Sequence, residues 1–155
     1  MILYFLLKIA HGLLASVLFG TVLGGLFFAI RAARSGDAGQ IASTYASLMR
    51  LELWFIASSA ILLPVSGLAL AKVGGWPLGQ LWLLWSAGLY LLAALCWLPL
   101  LWLQMRIRNL ARQALRDGKP LAPQVISHVV LRSGLAVAAL ALLVAVYVLM
   151  VIKPL

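Results

Sequence analysis

The chain has 155 residues, of which 65% are apolar and only 10% charged, against about a quarter charged in an average soluble domain. Together with a mean hydropathy of +1.11, this excludes a soluble enzyme, a disordered chain and, despite a net charge of +9, a nucleic-acid binder. Water does not solvate that much apolar side chain, and the composition is that of an integral membrane protein with a single domain over 1–155.

Four apolar stretches, at about 2–30, 48–71, 81–103 and 125–152, each exceed the ~20 residues a helix needs to cross the hydrocarbon core. The period-two alternation of a membrane barrel is absent, which leaves helices as the spanning structure. No basic segment precedes the first stretch and no small-x-small site closes it, so a retained transmembrane helix is expected in place of a secretory signal. Arg31 to Asp37 breaks that helix and leads into a short polar loop. Gly74, Gly75 and Pro77 make a tight turn after the second stretch. After the third, Ile107, Leu110, Ala111, Ala114 and Leu115 recur at helical spacing among Arg106, Arg108, Arg112 and Arg116. This predicts an interfacial amphipathic extension whose arginines meet anionic lipid headgroups. Pro123 stands where a first helical turn tolerates proline. Loops one and three, with their flanks, hold most of the arginines, whereas Lys8, Lys72 and Lys153 lie on the other side. The positive-inside rule then puts those loops in the cytoplasm and both termini outside. The expected fold is all-α: an antiparallel four-helix membrane bundle with an amphipathic cytoplasmic extension of the third helix.

Ionisable groups inside a span are costly and mark candidate sites. Lys8 and His11 share a face of the first helix, with His11 roughly 14 Å below its outer end. A stripe of small residues, Gly12, Ser16, Gly20 and Gly24, lies one position round and would admit a second helix or a flat macrocycle. Glu52 on the second span and His128 and Arg132 on the fourth form an intramembrane polar cluster near Gln104 and Arg106. Glu52 is expected to pair with Arg132 or Arg50, with His128 hydrogen-bonded in the same group. His11 and His128 differ in depth by more than about 20 Å, which excludes them as two axial ligands of one haem. Trp76, Trp82, Trp85 and Trp102 are expected in the interfacial aromatic belts. Cys96, Met49, Met105 and Met150 are scattered without the soft-ligand clustering that copper needs.

The residues of the first helix from Tyr4 to His11, Leu18 to Gly24 and Arg31 to Asp37, with Leu63 to Leu68, Trp97 to Pro99 and Leu103 to Arg106, resemble a bacterial family of predicted four-span membrane proteins known as a domain of unknown function. That resemblance covers nearly the whole chain and implies the bacterial inner membrane. More distantly, Lys8-x-x-His11 resembles the opening of HemJ-type protoporphyrinogen oxidases and CopD-type copper-resistance proteins, and the former implies b-type haem ligated by a histidine at that place. Three functions follow as expectations. The first is a haem b redox or electron-transfer protein with His11 on the iron, Lys8 at a propionate, and Gly12 and Ser16 beside the ring. The second is an accessory subunit that docks a membrane partner or a second copy. The third is a small proton-coupled transporter, acting as an oligomer, that uses Glu52, His128 and Arg132.

Overall fold

In the computed structural model, which describes residues 1–153, the first apolar stretch forms one helix, α1 (Ile2–Ser35). Gly36 ends it with a left-handed φ of 67°, its N–H bonded to the Ala33 carbonyl, a conformation that glycine adopts without a Cβ clash. Asp37 immediately caps the next helix, accepting from the Gly39 N–H at 3.2 Å. The expected polar loop is therefore two residues long, and α2 (Ala38–Leu51) starts ten residues before the apolar stretch does. Its polar outward positions dilute the hydropathy, but Ile41, Ala42, Tyr45, Leu48 and Met49 keep helical spacing and are all buried.

One π-helical turn, Glu52–Ile56, joins α2 to α3 (Ala57–Val73). The Ala57 N–H reaches back five residues to the Glu52 carbonyl. The extra residue lets Leu53, Trp54 and Phe55 face outward in succession while Glu52 and Ile56 both point inward. In α3, Pro64 has no N–H to give the Ala60 carbonyl. The Tyr90 hydroxyl donates to it instead, at 2.7 Å, and so ties α3 to α4.

Helix α4 (Leu81–Asp117) carries the arginine-rich extension and ends at left-handed Gly118. The apolar face of the extension does not lie on lipid as expected. Ile107 and Ala111 are 0% exposed and belong to a core with Ala29, Ala32, Ile41, Tyr45 and Val125, so α2, in the place of a bilayer surface, covers this face. Helix α5 (Gln124–Ile152) packs most extensively on α4, while α1 meets α2, α3 and α5. Ile2–Ser35, Ala38–Val73, Leu81–Asp117 and Gln124–Ile152 are each long and apolar enough to span a membrane, and the chain is a multi-pass helical bundle. Its antiparallel order gathers the arginines of α1 and α4 at one end and Lys8, Lys72 and Lys153 at the other.

Two expectations about faces change. Within the chain, α1 buries Leu18, Gly25, Ala29 and Ala32, not the small-residue stripe. Gly12 and Ser16 are exposed, and a Cβ at Gly12, Gly20 or Gly24 would meet nothing within 4 Å. Trp82, at the start of α4, faces the protein instead of the surroundings. It is 5% exposed, donates to Gln80 Oε1 at 2.6 Å and stands edge-on to Trp76. The Lys153 ammonium lies 4.7 Å from the Trp76 ring centre, a cation–π contact that clasps the end of α5 to the α3–α4 turn.

Candidate functional site

The polar centre of the bundle is a closed ring of three side chains from three elements. Glu52 starts the π-helical turn, Gln104 lies on α4 and Arg132 on α5, each 2% exposed or less. Arg132 Nη2 donates to Glu52 Oε1 at 3.1 Å, Arg132 Nε donates to Gln104 Oε1 at 2.8 Å, and Gln104 Nε2 donates to Glu52 Oε2 at 3.1 Å. Arg132 Nη2 also reaches Gln104 Oε1. Each carboxylate oxygen thus accepts at least one hydrogen bond, and the ion pair is neutral as a unit. Desolvation opposes burying either charge alone, and this mutual satisfaction is what makes the arrangement tenable in a low-dielectric core.

Local structure explains why the ring closes. Gly25 lets α1 lie directly against it: a Cβ there would stand 3.4 Å from Glu52 Oε1 and 4.0 Å from Arg132 Nη2. The Tyr45 ring sits beneath the guanidinium, 5.8 Å from Arg132 Cζ, with its hydroxyl donated to the Ala29 carbonyl. The π-helical turn brings Glu52 inward at the depth of Arg132, a geometry common where helices carry function.

The ring leaves donors unspent. Arg132 Nη1 and Trp97 Nε1 are buried without a protein partner. The Trp97 indole is near the Glu52 carboxylate but in no hydrogen-bonding geometry with it. Both residues line a chamber of about 50 Å³ on the bundle axis, with Tyr90, Ala60, Ala136 and Leu143 among its walls. Ser86 Oγ, one turn along α4 from Tyr90, is likewise buried and unpartnered. A polar floor of donors under small apolar walls suits a ligand that accepts hydrogen bonds at one end.

The other sequence-derived candidates fall elsewhere. Glu52 meets Arg132 and not the exposed Arg50, and Gln104 occupies the place expected for His128. His128, one turn before Arg132 on α5, is half-buried and outside the ring, its own ring 6.4 Å from that of exposed Trp102. His11 is wedged between α1 and α3. Its Nδ1 is 2.8 Å from Ser66 Oγ, whose hydroxyl is given to the Leu63 carbonyl, and a Cβ on Gly67 would stand 3.2 Å from the ring. Lys8 is exposed, its ammonium 6.0 Å from the Tyr4 ring centre. Among the described residues no three His, Cys, Asp or Glu side chains gather as metal ligands. Trp97, Tyr45 and Gly25 are the site residues that sequence reasoning missed. Trp97 was within reach, since it stands seven residues before Gln104 and therefore shares its helix face.

Over residues 5–154 the sequence matches the family described as a predicted integral membrane protein (DUF2269). The chain belongs to this family. No curated protein and no solved structure matches it. The DUF2269 match takes in all four spans and so includes the Glu52–Gln104–Arg132 ring, the chamber and His11.

Proposed function

We propose that the protein is a small proton-coupled anion carrier working at the Glu52–Gln104–Arg132 ring. The observation that supports this reading is the spare donor Arg132 Nη1, buried and unpartnered on a residue that lines a chamber and belongs to a charge-balanced pair. A buried site tolerates little net charge. An anion that binds Arg132 next to ionised Glu52 would leave one uncompensated negative charge, whereas an anion that arrives with a proton on Glu52 keeps the site neutral. Charge balance thus couples one proton to one monoanion. Arg132 binds and orients the anion, Glu52 holds the proton, and Gln104 stays bonded to both. The groups facing Glu52 are Arg132 from α5, Tyr45 from α2, and Gln104 and Trp97 from α4. Helix α1 presents Gly25, and α3 presents apolar Ala60 at the chamber.

The test is acidification inside proteoliposomes that hold a trapped pH dye, after external addition of sodium nitrate, chloride, formate or acetate. At least one anion is expected to carry protons inward. The Glu52→Gln/Arg132→Gln pair, which removes both charges together, is expected to abolish this. No acidification above protein-free vesicles with any anion would overturn the carrier reading. We place the protein in a bacterial inner membrane with its arginine-rich end in the cytoplasm, following the charge asymmetry of its loops. There exposed Arg106, Arg112 and Arg116 meet anionic headgroups.

His11 supports a second reading, as ligand of a haem b with a redox role. The Ser66 hydroxyl is committed to Leu63, so Nδ1 carries the ring proton and Nε2 the lone pair, the orientation typical of a metal-binding histidine. The tight packing of the ring on Gly67 and a chamber that does not reach His11 weigh toward a structural stitch between α1 and α3. A reduced-minus-oxidised visible spectrum decides: this reading requires a Soret band that His11→Ala removes.

A further inference from the structure

We infer that the chamber is a binding site for a short-chain monocarboxylate, its carboxylate on Arg132 Nη1 and Trp97 Nε1 and its alkyl end among the alanines. This identity of the anion rests on the carrier reading above for its physiological sense, but not for its binding.

Three observations set the chemistry. Both free polar groups on the chamber floor are donors, Arg132 being 1% exposed, and neither has a protein acceptor. A ligand that meets them must therefore bring acceptors, and a cation would find only the Glu52 carboxylate, already held by Arg132 and Gln104. Of the remaining walls, Ala60, Ala136 and Leu143 offer no side-chain hydrogen bond, and the polar groups of Tyr90 and Glu52 are engaged with the Ala60 carbonyl and with Arg132 and Gln104. A halide or nitrate, solvated on all sides, would press acceptor surface against these walls without compensation. A carboxylate confines its acceptors to one end. Size is the third constraint. About 50 Å³ corresponds to roughly three to five water-sized positions, enough for the four or so non-hydrogen atoms of acetate and too little for a sugar or an amino acid with a long side chain. Binding breaks no covalent bond. The anion enters as carboxylate, one proton joins Glu52, and the Arg132–Gln104 bonds persist.

The experiment is titration calorimetry of sodium acetate into the detergent-purified full chain, repeated in buffers of different ionisation enthalpy to count protons. Saturable binding with uptake of about one proton per acetate is expected, strengthening as pH falls because the bound form holds the additional proton. Trp97→Phe keeps an aromatic ring but removes one donor to a charged group, and is expected to weaken binding about tenfold or more. Glu52→Gln is expected to bind acetate without proton uptake. Acetamide, a neutral isostere, is expected to bind at least about tenfold more weakly than acetate. No acetate binding to wild type, equal binding of chloride and acetate, or acetate binding indifferent to Trp97→Phe would each overturn the proposal, the first pointing to a chamber that holds water alone. The two readings fail separately. Acetate binding without vesicle acidification by any anion sinks the carrier and leaves the site. Acidification by nitrate or chloride with no acetate binding sinks the carboxylate and leaves the carrier.

Discussion

Three residues show how a polar group inside this bundle acquires its partner. The Ala60 carbonyl lacks a helical donor because Pro64 has none, and the Tyr90 hydroxyl supplies it from another helix. Tyr90→Phe should therefore cost about 1 kcal/mol or more by leaving that acceptor unsatisfied. The same change in a Pro64→Ala background should cost less, because residue 64 then supplies its own N–H. A double-mutant cycle on thermal unfolding in detergent measures the difference, and strict additivity would contradict the pairing. Gly25 invites a comparable test. Its would-be Cβ lies 3.4 Å from Glu52 Oε1, while one at Gly20 meets nothing within 4 Å. Gly25→Val is accordingly expected to destabilise the bundle by about 1–3 kcal/mol through overpacking, with Gly20→Val near neutral in the monomer. Equal Tm shifts for the two would show that the α1 face is assigned wrongly. At His11, Gly67→Ala should push the ring off Ser66, which histidine side-chain NMR reports as a change of tautomer balance.

At the scale of elements, the spans were legible and their rotations were not. Each apolar run is longer than the hydrocarbon core is thick, and that alone identifies a helix. The side facing lipid is as apolar as the side facing protein, however. Leu23, Phe27 and Phe28 on α1 are exposed while Ala29 is buried, so the pattern that orients a helix in water is missing. This is why Gly12, Ser16, Gly20 and Gly24 read as a contact stripe from the sequence, whereas within the chain Gly25 and Ala29 make the contact. The pairing of Glu52 with Arg132 was legible for the opposite reason, since ionisable groups in the spans are few and must find each other. The π-helical turn left no local signature, and Trp97 was hidden by the ordinary role of tryptophan in membranes. The α4 extension is the element whose reading changed most, from a helix on lipid to one on α2. Ala111→Leu, at a position 0% exposed, should therefore lower the Tm by overpacking, whereas Leu115→Ala, at a position 53% exposed, should not. A helix resting on lipid would tolerate both.

The whole molecule is asymmetric along its axis. The termini end is clasped by Lys153 on Trp76, the arginine end is widened by α2 and the α4 extension, and the ring and chamber lie between. With Cys96 replaced by Ala, a cysteine introduced at Lys119 should react with an impermeant maleimide only in opened cells, and one at Leu78 in intact cells. The reverse pattern would invert the orientation given by the positive-inside rule.

The ring also carries a consequence for how the chain is made. Glu52 and Arg132 are 80 residues apart in sequence, on the second and fourth spans. Glu52 therefore enters the bilayer well ahead of its counter-charge, with Gln104 arriving between them. Arg132 rides in on the span whose most apolar 18-residue segment has the highest mean hydropathy of the four, 3.0, which offsets the penalty of inserting a cation. Biogenesis is thus incomplete until the last helix docks. A nascent chain stopped after α4 holds a carboxylate with only an amide to answer it, a defect that membrane quality control could recognise and that full-length assembly erases.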